Sequence, residues 1–252
     1  MTIHVVLPAY NEAESLPNLL DRFCRLPAND RSNLSIYVIN DGSTDDTRKI
    51  AATFDNKLVL QVLDHKKNMG LGQAVQTGIR AILQSAADDD LMVLMDADDT
   101  HDPALIGTLE EQIHAGADIS IASRFVAGGD DSTAPYFRRM LSRGAALCFR
   151  AAVPMDKNVR DFTSGYRAYR VSLLRRAVDH WGERLVEERG FACMVELLLK
   201  LRYCKPKITE VPMYLEYDRK HGESKIRILR TIFQYLKLAL RDRLSPPPTR
   251  DI

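Results

Sequence analysis

Asp96 and Asp98 stand two residues apart, directly after the apolar run Leu91-Met92-Val93-Leu94-Met95. Extended backbone turns side chains i and i+2 to the same side. Both carboxylates therefore face one space. A carboxylate pair at a strand end can hold a hard divalent cation, which keeps several waters and takes its other ligands from substrate phosphates. The chemistry indicated is a metal-diphosphate site. The plainer reading is an acidic turn, with Asp98 or Asp99 capping a helix that Pro103 starts. An isolated D-x-D favours the turn, because short motifs often match by chance. The surroundings must decide.

Those surroundings are four more polar clusters, each after a strand-like segment. Ile3 to Leu7 leads into Pro8-Ala9-Tyr10-Asn11-Glu12, and Ser35 to Ile39 into Asn40-Asp41-Gly42-Ser43-Thr44-Asp45. Leu58 to Leu63 precedes Asn68-Met69-Gly70-Leu71-Gly72, and Ala117 to Ser123 ends at Arg124. Helical spacing fills the gaps: Ala13 to Cys24, a stretch ending near Phe54, Gln73 to Gln84, and Pro103 to His114. Strand and helix alternate five times, which predicts an α/β fold with a mainly parallel sheet flanked by helices. Apolar runs without alternation fit strands covered on both faces. Such sheets bind ligands beyond the carboxyl ends of their strands. All five clusters should line that edge.

The chain changes character after Arg124. Val126 to Thr133 is rich in Gly and Asp and reads as a mobile loop. Arg138 to Val153 is a helix with a basic start. Asp161 to Arg167 is a turn, which Asp161 and Arg167 would brace, leading into a short strand. Glu188 to Tyr203 is a helix carrying Glu196, Lys207 to Tyr217 a strand, and Asp218 to Lys225 a charged loop. From Ile226 to Leu244, Ile226, Leu229, Ile232, Phe233, Leu236, Leu240 and Leu244 recur at helical spacing among Arg and Lys. This basic amphipathic helix could pack on the body or adsorb to an anionic membrane surface. Residues 245–252, with three prolines, read as a tail.

The 252 residues suffice for one large α/β domain. Lys+Arg 35 against Asp+Glu 34 leaves +1, which points to no nucleic-acid partner. Cys24, Cys148, Cys193 and Cys204 are scattered, which fits neither a disulfide framework nor a zinc site, so a reducing, cytoplasmic setting is expected. No run reaches the ~18 apolar residues of a membrane span, so any membrane contact is expected to be peripheral, at the inner face.

The motifs Pro8-Ala9-Tyr10-Asn11-Glu12, Asn40-Asp41-Gly42-Ser43-Thr44-Asp45, Asn68-Met69-Gly70-Leu71-Gly72 and Asp96-Ala97-Asp98 stand in the order of family 2 glycosyltransferases, which the chain resembles. Ala122-Ser123-Arg124-Phe125, Thr163-Ser164-Gly165-Tyr166-Arg167 and Gly222-Glu223-Ser224-Lys225 resemble the dolichol/polyprenyl-phosphate mannosyltransferase branch. The resemblance runs to about Arg243. It implies a GT-A (Rossmann-like) catalytic domain over 1–225, followed by the helix 226–244. It implies that Pro8, Ala9, Tyr10 and Glu12 line the nucleotide, that Asp41 bonds the nucleoside, and that Gly70 belongs to the donor loop. Asp96, Ala97 and Asp98 would form the DXD motif, with Asp96 and Asp98 binding Mg2+ or Mn2+ on the donor diphosphate. Arg124 and Arg138 would hold phosphate oxygens, of the donor or of a lipid-phosphate acceptor, and Lys225 would close over the same site. The implied reaction moves a hexose, by default mannose from GDP-mannose, to a polyprenyl or dolichyl phosphate with inversion. Relatives often carry Leu-Gln after the DXD, where this chain has Asp99-Thr100. Thr100 is too short for the Gln contact, and Asp99 or a water could compensate.

A sugar leaving a diphosphate passes through an oxocarbenium-like state. A metal at Asp96 and Asp98, with Arg124 and Lys225, would stabilise the charge that builds on the diphosphate. A phosphate acceptor is already anionic. A hydroxyl acceptor would need a base, for which Glu196 is the candidate, although a structural ion pair fits it equally well. Two other classes remain. A nucleotidyltransferase would carry a Gly-rich basic loop where this chain has Pro8 to Glu12. A non-catalytic sugar-nucleotide binder would not need Asp96, Asp98, Arg124 and Lys225 together.

Overall fold

The computed structural model describes residues 1–152, 155, 159–219 and 228–244. In chain order the elements are β1 (Ile3–Ala9), α1 (Leu16–Arg25), α2 (Ala28–Arg31), β2 (Leu34–Asn40), α3 (Thr47–Ala52), β3 (Leu60–Asp64), α4 (Leu71–Leu83) and β4 (Leu91–Leu94). Then follow α5 (Leu105–His114), β5 (Ile119–Ser123), α6 (Tyr136–Ala152), β6 (Arg167–Arg170), α7 (Val171–Trp181), α8 (Ala192–Leu201), β7 (Ile208–Pro212) and α9 (Ile228–Leu244).

Among the described residues, seven strands form one sheet in the order β3-β2-β1-β4-β6-β5-β7. The β1–β2, β2–β3, β1–β4 and β5–β7 pairs are parallel, and β6 is antiparallel to both neighbours, β4 and β5. β5 therefore points the same way as β4, and the ends of β1 to β5 share one edge, as the alternation predicts. The pleat sorts the apolar residues to two layers. Val6, Met92 and Leu94 face a core built with α4, α7 and α8, while Val5, Leu7, Leu91 and Val93 face one built with α1 and α5. With both faces covered, β4 is buried throughout.

Three expectations change, and a direction the sequence leaves open is filled in: β6 runs antiparallel to its neighbours, with Asp161, just before it, bonded to Arg124 at the end of β5. The chain thus starts β6 at the site edge and must run away from it. The strand expected over Lys207 to Tyr217 ends at Pro212, which has no N–H for the ladder. The helix expected from Glu188 begins at Ala192, and the Arg189 carbonyl, which a helix from Glu188 would turn to its own N–H groups, accepts the Gly72 N–H at 3.2 Å. The loop after Arg124 is tied down rather than free. Asp130 N–H donates to the Met213 carbonyl at 2.9 Å, Leu215 N–H to the Asp130 carbonyl at 3.0 Å, and Thr133 Oγ1 to the Leu215 carbonyl.

α9 packs against α6 and α8. Its Tyr235, Leu238 and Ala239 join the core, while Phe233, Leu236, Leu240 and Leu244 on the other side stay exposed. Each fully buried large apolar side chain contributes about 1.5–3 kcal/mol. The amphipathic helix is thus part of the body and also keeps an outward apolar face.

Candidate active site

Strand β4 delivers Asp96 and Asp98 to one cavity at the carboxyl edge of the sheet, and Thr100, His101, Arg124 and Arg138 line it too. The two carboxylates are not loose. Thr100 Oγ1 donates to Asp98 Oδ1 at 2.7 Å inside the protein. Asp96 N–H donates to His101 Nδ1 at 3.2 Å, and the His101 ring stacks on Tyr166 with centroids 5.0 Å apart. Tyr166 in turn donates to the Asp102 carbonyl at 2.9 Å. A Cβ at Gly165 would lie 3.3 Å from Asp96 Oδ1, so glycine there lets the turn before β6 approach the carboxylate.

Asp99 faces elsewhere. Its backbone is left-handed, φ 61°, and its carboxylate meets Arg22 Nη1 at 3.0 Å. Arg22 also holds Asp102 at 2.9 Å and Glu216 at 2.6 Å. Asp99 therefore does not make up for the missing Gln. It anchors the loop to α1, and Thr100 steadies Asp98.

Arginines line the same cavity. Arg124 forks onto Asp161, with Nε to Oδ2 at 2.8 Å and Nη2 to Oδ1 at 2.7 Å, and also donates to Thr163 Oγ1 at 2.7 Å. Asp161 is fully buried and accepts the Thr163 and Ser164 N–H groups as well. Burial alone would raise its pKa, but the Arg124 guanidinium outweighs that and holds the carboxyl below its usual value. Arg167 donates to the Phe162 and Met194 carbonyls, so both residues brace the turn as expected. Arg138 Nη1 donates to Tyr217 Oη at 2.9 Å, with its guanidinium 5.0 Å from the ring centre.

The expected nucleotide-binding residues lie along the same edge but outside this cavity's lining. Pro8, Tyr10 and Glu12 are half-buried and Ala9 is buried. Glu12 N–H donates to Thr47 Oγ1 at 2.8 Å, and Asn11 Oδ1 accepts the Thr44 N–H at 2.8 Å, which ties the ends of β1 and β2 together. Asp41 is buried and accepts the Met69 and Gly70 N–H groups, both at 2.8 Å, with His65 Nδ1 at 2.7 Å. In this arrangement it holds the donor loop. Gly70 has φ 96°, where a side chain is strained. A Cβ at Gly72 would lie 1.9 Å from the Glu188 carbonyl oxygen, so only glycine fits that approach.

The "Glycosyl transferase family 2" model matches residues 4–177. The chain belongs to glycosyltransferase family 2. It is 36% identical over 237 residues to a "Dolichol-phosphate mannosyltransferase" of Pyrococcus furiosus, covering 94% of this chain but 62% of that relative, so it spans under two thirds of that protein's length. It is 34% identical to an "Undecaprenyl-phosphate mannosyltransferase" of Micrococcus luteus, covering 90% of this chain and 88% of that one. Among solved structures, glucosyl-3-phosphoglycerate synthase from Mycobacterium tuberculosis, in complex with Mn2+, UDP and glucosyl-3-phosphoglycerate, superposes with TM-score 0.67 at 20% identity, covering 98% of this chain and 81% of that one. That likeness establishes the GT-A fold.

For a family 2 glycosyltransferase the donor set at β4 fits a hard divalent ion. The ligands would be carboxylate oxygens, and among the described residues no group of three or more His, Cys, Asp or Glu is placed to hold a metal alone. Asp96 and Asp98 would supply the protein ligands, with diphosphate and water completing the shell. Ala97 is the buried spacer between them.

Glu196, open between a base and a structural ion pair, sits in the ion-pair arrangement. It is 1% exposed, and Oε2 accepts the Glu187 and Glu188 N–H groups at 2.8 and 2.7 Å. Oε1 meets Arg241 Nη2 at 2.6 Å and Lys200 Nζ at 2.9 Å. The carboxylate is fully engaged and fixes the segment that abuts Gly72. Lys225 and the Gly222 to Lys225 loop lie outside the described residues. The sequence reading missed Arg139, Ser142 and Asp131 in the cavity wall. Ser142 stands four residues after Arg138, on the same helix face, and that spacing was the available signal.

Proposed function

We propose that this chain is an inverting, metal-dependent glycosyltransferase that moves a hexose from a nucleoside-diphosphate donor, with GDP-mannose the default, to a polyprenyl or dolichyl phosphate. One observation carries the reading: Asp96 and Asp98 share a cavity with Arg124 and Arg138. A diphosphate between them would meet guanidinium donors on one side and a carboxylate-held ion on the other. Mg2+ or Mn2+ bound there would neutralise charge developing on the leaving diphosphate. Arg124, already held rigid by Asp161, adds a preorganised cation with no reorganisation at the moment of reaction. Arg138 and Arg139 lie on α6, where an acceptor phosphate would be drawn in and aligned.

The names of the relatives support a lipid-phosphate acceptor. A phosphate monoester is ionised at neutral pH and attacks without a base, and the engagement of Glu196 agrees with that route. A lipid acceptor also gives the outer apolar residues a purpose. Phe137, Met140 and Leu147 on α6, and Phe233, Leu236 and Leu240 on α9, are exposed beside the cavity helices. Among the described residues no helix is long and apolar enough to cross a membrane. The two helices would instead rest on the bilayer, with basic side chains toward anionic lipid.

The test offers purified protein a panel of GDP- and UDP-sugars with a short polyprenyl phosphate, with divalent metal or with chelator. Metal-dependent sugar transfer to the lipid phosphate, lost in Asp98→Asn, is the expected result. Transfer only to hydroxyl acceptors, or nucleotidyl transfer, would overturn it. Because α9 shares the core, the membrane reading is tested by Phe233→Asn with Leu240→Asn on its exposed face: anionic-vesicle binding should weaken with the fold intact, and unchanged binding would overturn that reading.

A further inference from the structure

A second cavity shares Arg124 with the first. Its volume is about 730 Å3, within the roughly 300–1,000 Å3 of small-ligand sites. It lies between the loop after β5 and the C-terminal half of α6. Arg124, Arg143, Arg150 and Arg160 line it, with Phe125 and Leu147, and among the described residues no acidic side chain is in its lining.

The charges there do not cancel. Arg124 is neutralised by Asp161. Arg143 shares one carboxylate, Asp131, with Arg139. Arg150 and Arg160 are exposed, and their side chains form no ion pair with a carboxylate among the described residues. Arg143 and Arg150 are seven residues apart on α6, which puts them on one face. Guanidinium forks clustered without carboxylates suit phosphate oxygens, which they bind bidentately.

The rim says where that phosphate sits. Leu147, between the two helix arginines, is 71% exposed, and Met140 and Phe137 continue the apolar stripe. A soluble anion makes no use of that stripe. A phosphate at the bilayer surface does, because the apolar side chains enter the lipid while the arginines stay at headgroup level.

We infer that this cavity is a headgroup site for an anionic phospholipid, separate from the donor cavity. It would dock the protein on the bilayer in one orientation, with the donor cavity beside the membrane surface. The inference rests on the membrane reading of α6 and α9, but not on the catalytic one.

The experiment is vesicle co-sedimentation of the full chain without donor or metal. It compares pure phosphatidylcholine vesicles with equimolar phosphatidylcholine–phosphatidylglycerol vesicles, and the Arg150→Gln/Arg160→Gln variant with wild type. Lys237→Gln, at an exposed position of α9, controls for loss of one charge, against which Arg150→Gln and Arg160→Gln are each also read singly. The double variant should lose on the order of tenfold in affinity for the anionic vesicles, with little change on neutral ones. The control should lose much less. Inorganic pyrophosphate, at matched ionic strength, should compete with wild type and not with the double variant. Two results would overturn the inference: equal losses in the double variant and the control, or loss of pyrophosphate competition with vesicle binding unchanged. The latter would make the cavity a soluble-anion site. If the catalytic reading failed, transfer would be absent while these vesicle results stood.

Discussion

Thr100 offers the sharpest test of how this chain holds its metal loop. Its hydroxyl donates to Asp98 Oδ1 at 2.7 Å, and Thr100 is 3% exposed. Thr100→Val keeps the side-chain shape and removes only that donor. A hydrogen bond to an ionised group is worth about 1.5–3 kcal/mol, and about 1.4 kcal/mol is tenfold in affinity. The Asp98 carboxylate would lose its fixed orientation, so Mn2+ affinity should fall roughly 10- to 100-fold, the span found for groups that orient metal ligands. Thr100→Ser, which keeps the hydroxyl, should stay near wild type. Mn2+ binding read by electron paramagnetic resonance, with nucleoside diphosphate present, measures this directly. Circular dichroism checks that the fold is intact. A folded Val variant with Mn2+ affinity within about twofold of wild type would refute the idea that Thr100 positions Asp98.

Other substitutions probe the supports behind the site. Asp161→Asn should cost about 3–5 kcal/mol of stability, the range for breaking a buried ion pair, and should weaken donor binding by releasing Arg124; thermal melts and donor titrations read the two effects. Asp161 has a folded pKa below its ordinary value, so its contribution is present above the unfolded pKa of about 3.9 and is lost as pH falls through the folded value. Melting curves of the wild type should therefore drop below about pH 4, more steeply than those of Asp161→Asn. Glu196→Gln should lower the melting temperature by loosening residues 187–188, and should leave the pH profile of kcat unchanged; loss of the acidic limb of that profile, where a carboxylate base becomes protonated, would restore Glu196 as a base. Gly72→Ala should force the donor loop off the Glu188 carbonyl and raise the donor KM, at a cost of about 1–3 kcal/mol, and a KM equal to wild type would contradict the close approach seen there.

Much of the site was legible because strand ends are punctuated. The apolar run at Leu91, its i, i+2 carboxylates and the polar clusters after each strand depend only on local alternation and turn chemistry. What local pattern cannot carry is direction and partnership. The turn before Arg167 announced a short strand, but its reversal follows from Asp161 pairing with Arg124, 37 residues away. Helix α7 went unread, although it packs on the sheet. The Gly- and Asp-rich stretch after Val126 has the composition of a free loop, yet its backbone pairs with residues 213–215. Glu196 shows the limit most plainly. Helical spacing put a carboxylate on α8, but its tertiary partners, two backbone N–H groups with Arg241 and Lys200, decide that it supports rather than reacts. Asp99 is similar, because its left-handed backbone and Arg22 turn it toward α1.

The central claim is that Asp96 and Asp98, facing Arg124 and Arg138, form a metal-dependent diphosphate clamp. Calorimetric titration of GDP-mannose and UDP-sugars into wild type and Asp98→Asn, with and without Mn2+, measures it most directly. One donor should bind wild type far more tightly when Mn2+ is present, and Asp98→Asn should abolish the increment while staying folded. Binding of that donor that is the same with and without Mn2+, or an increment that survives in Asp98→Asn, would contradict it.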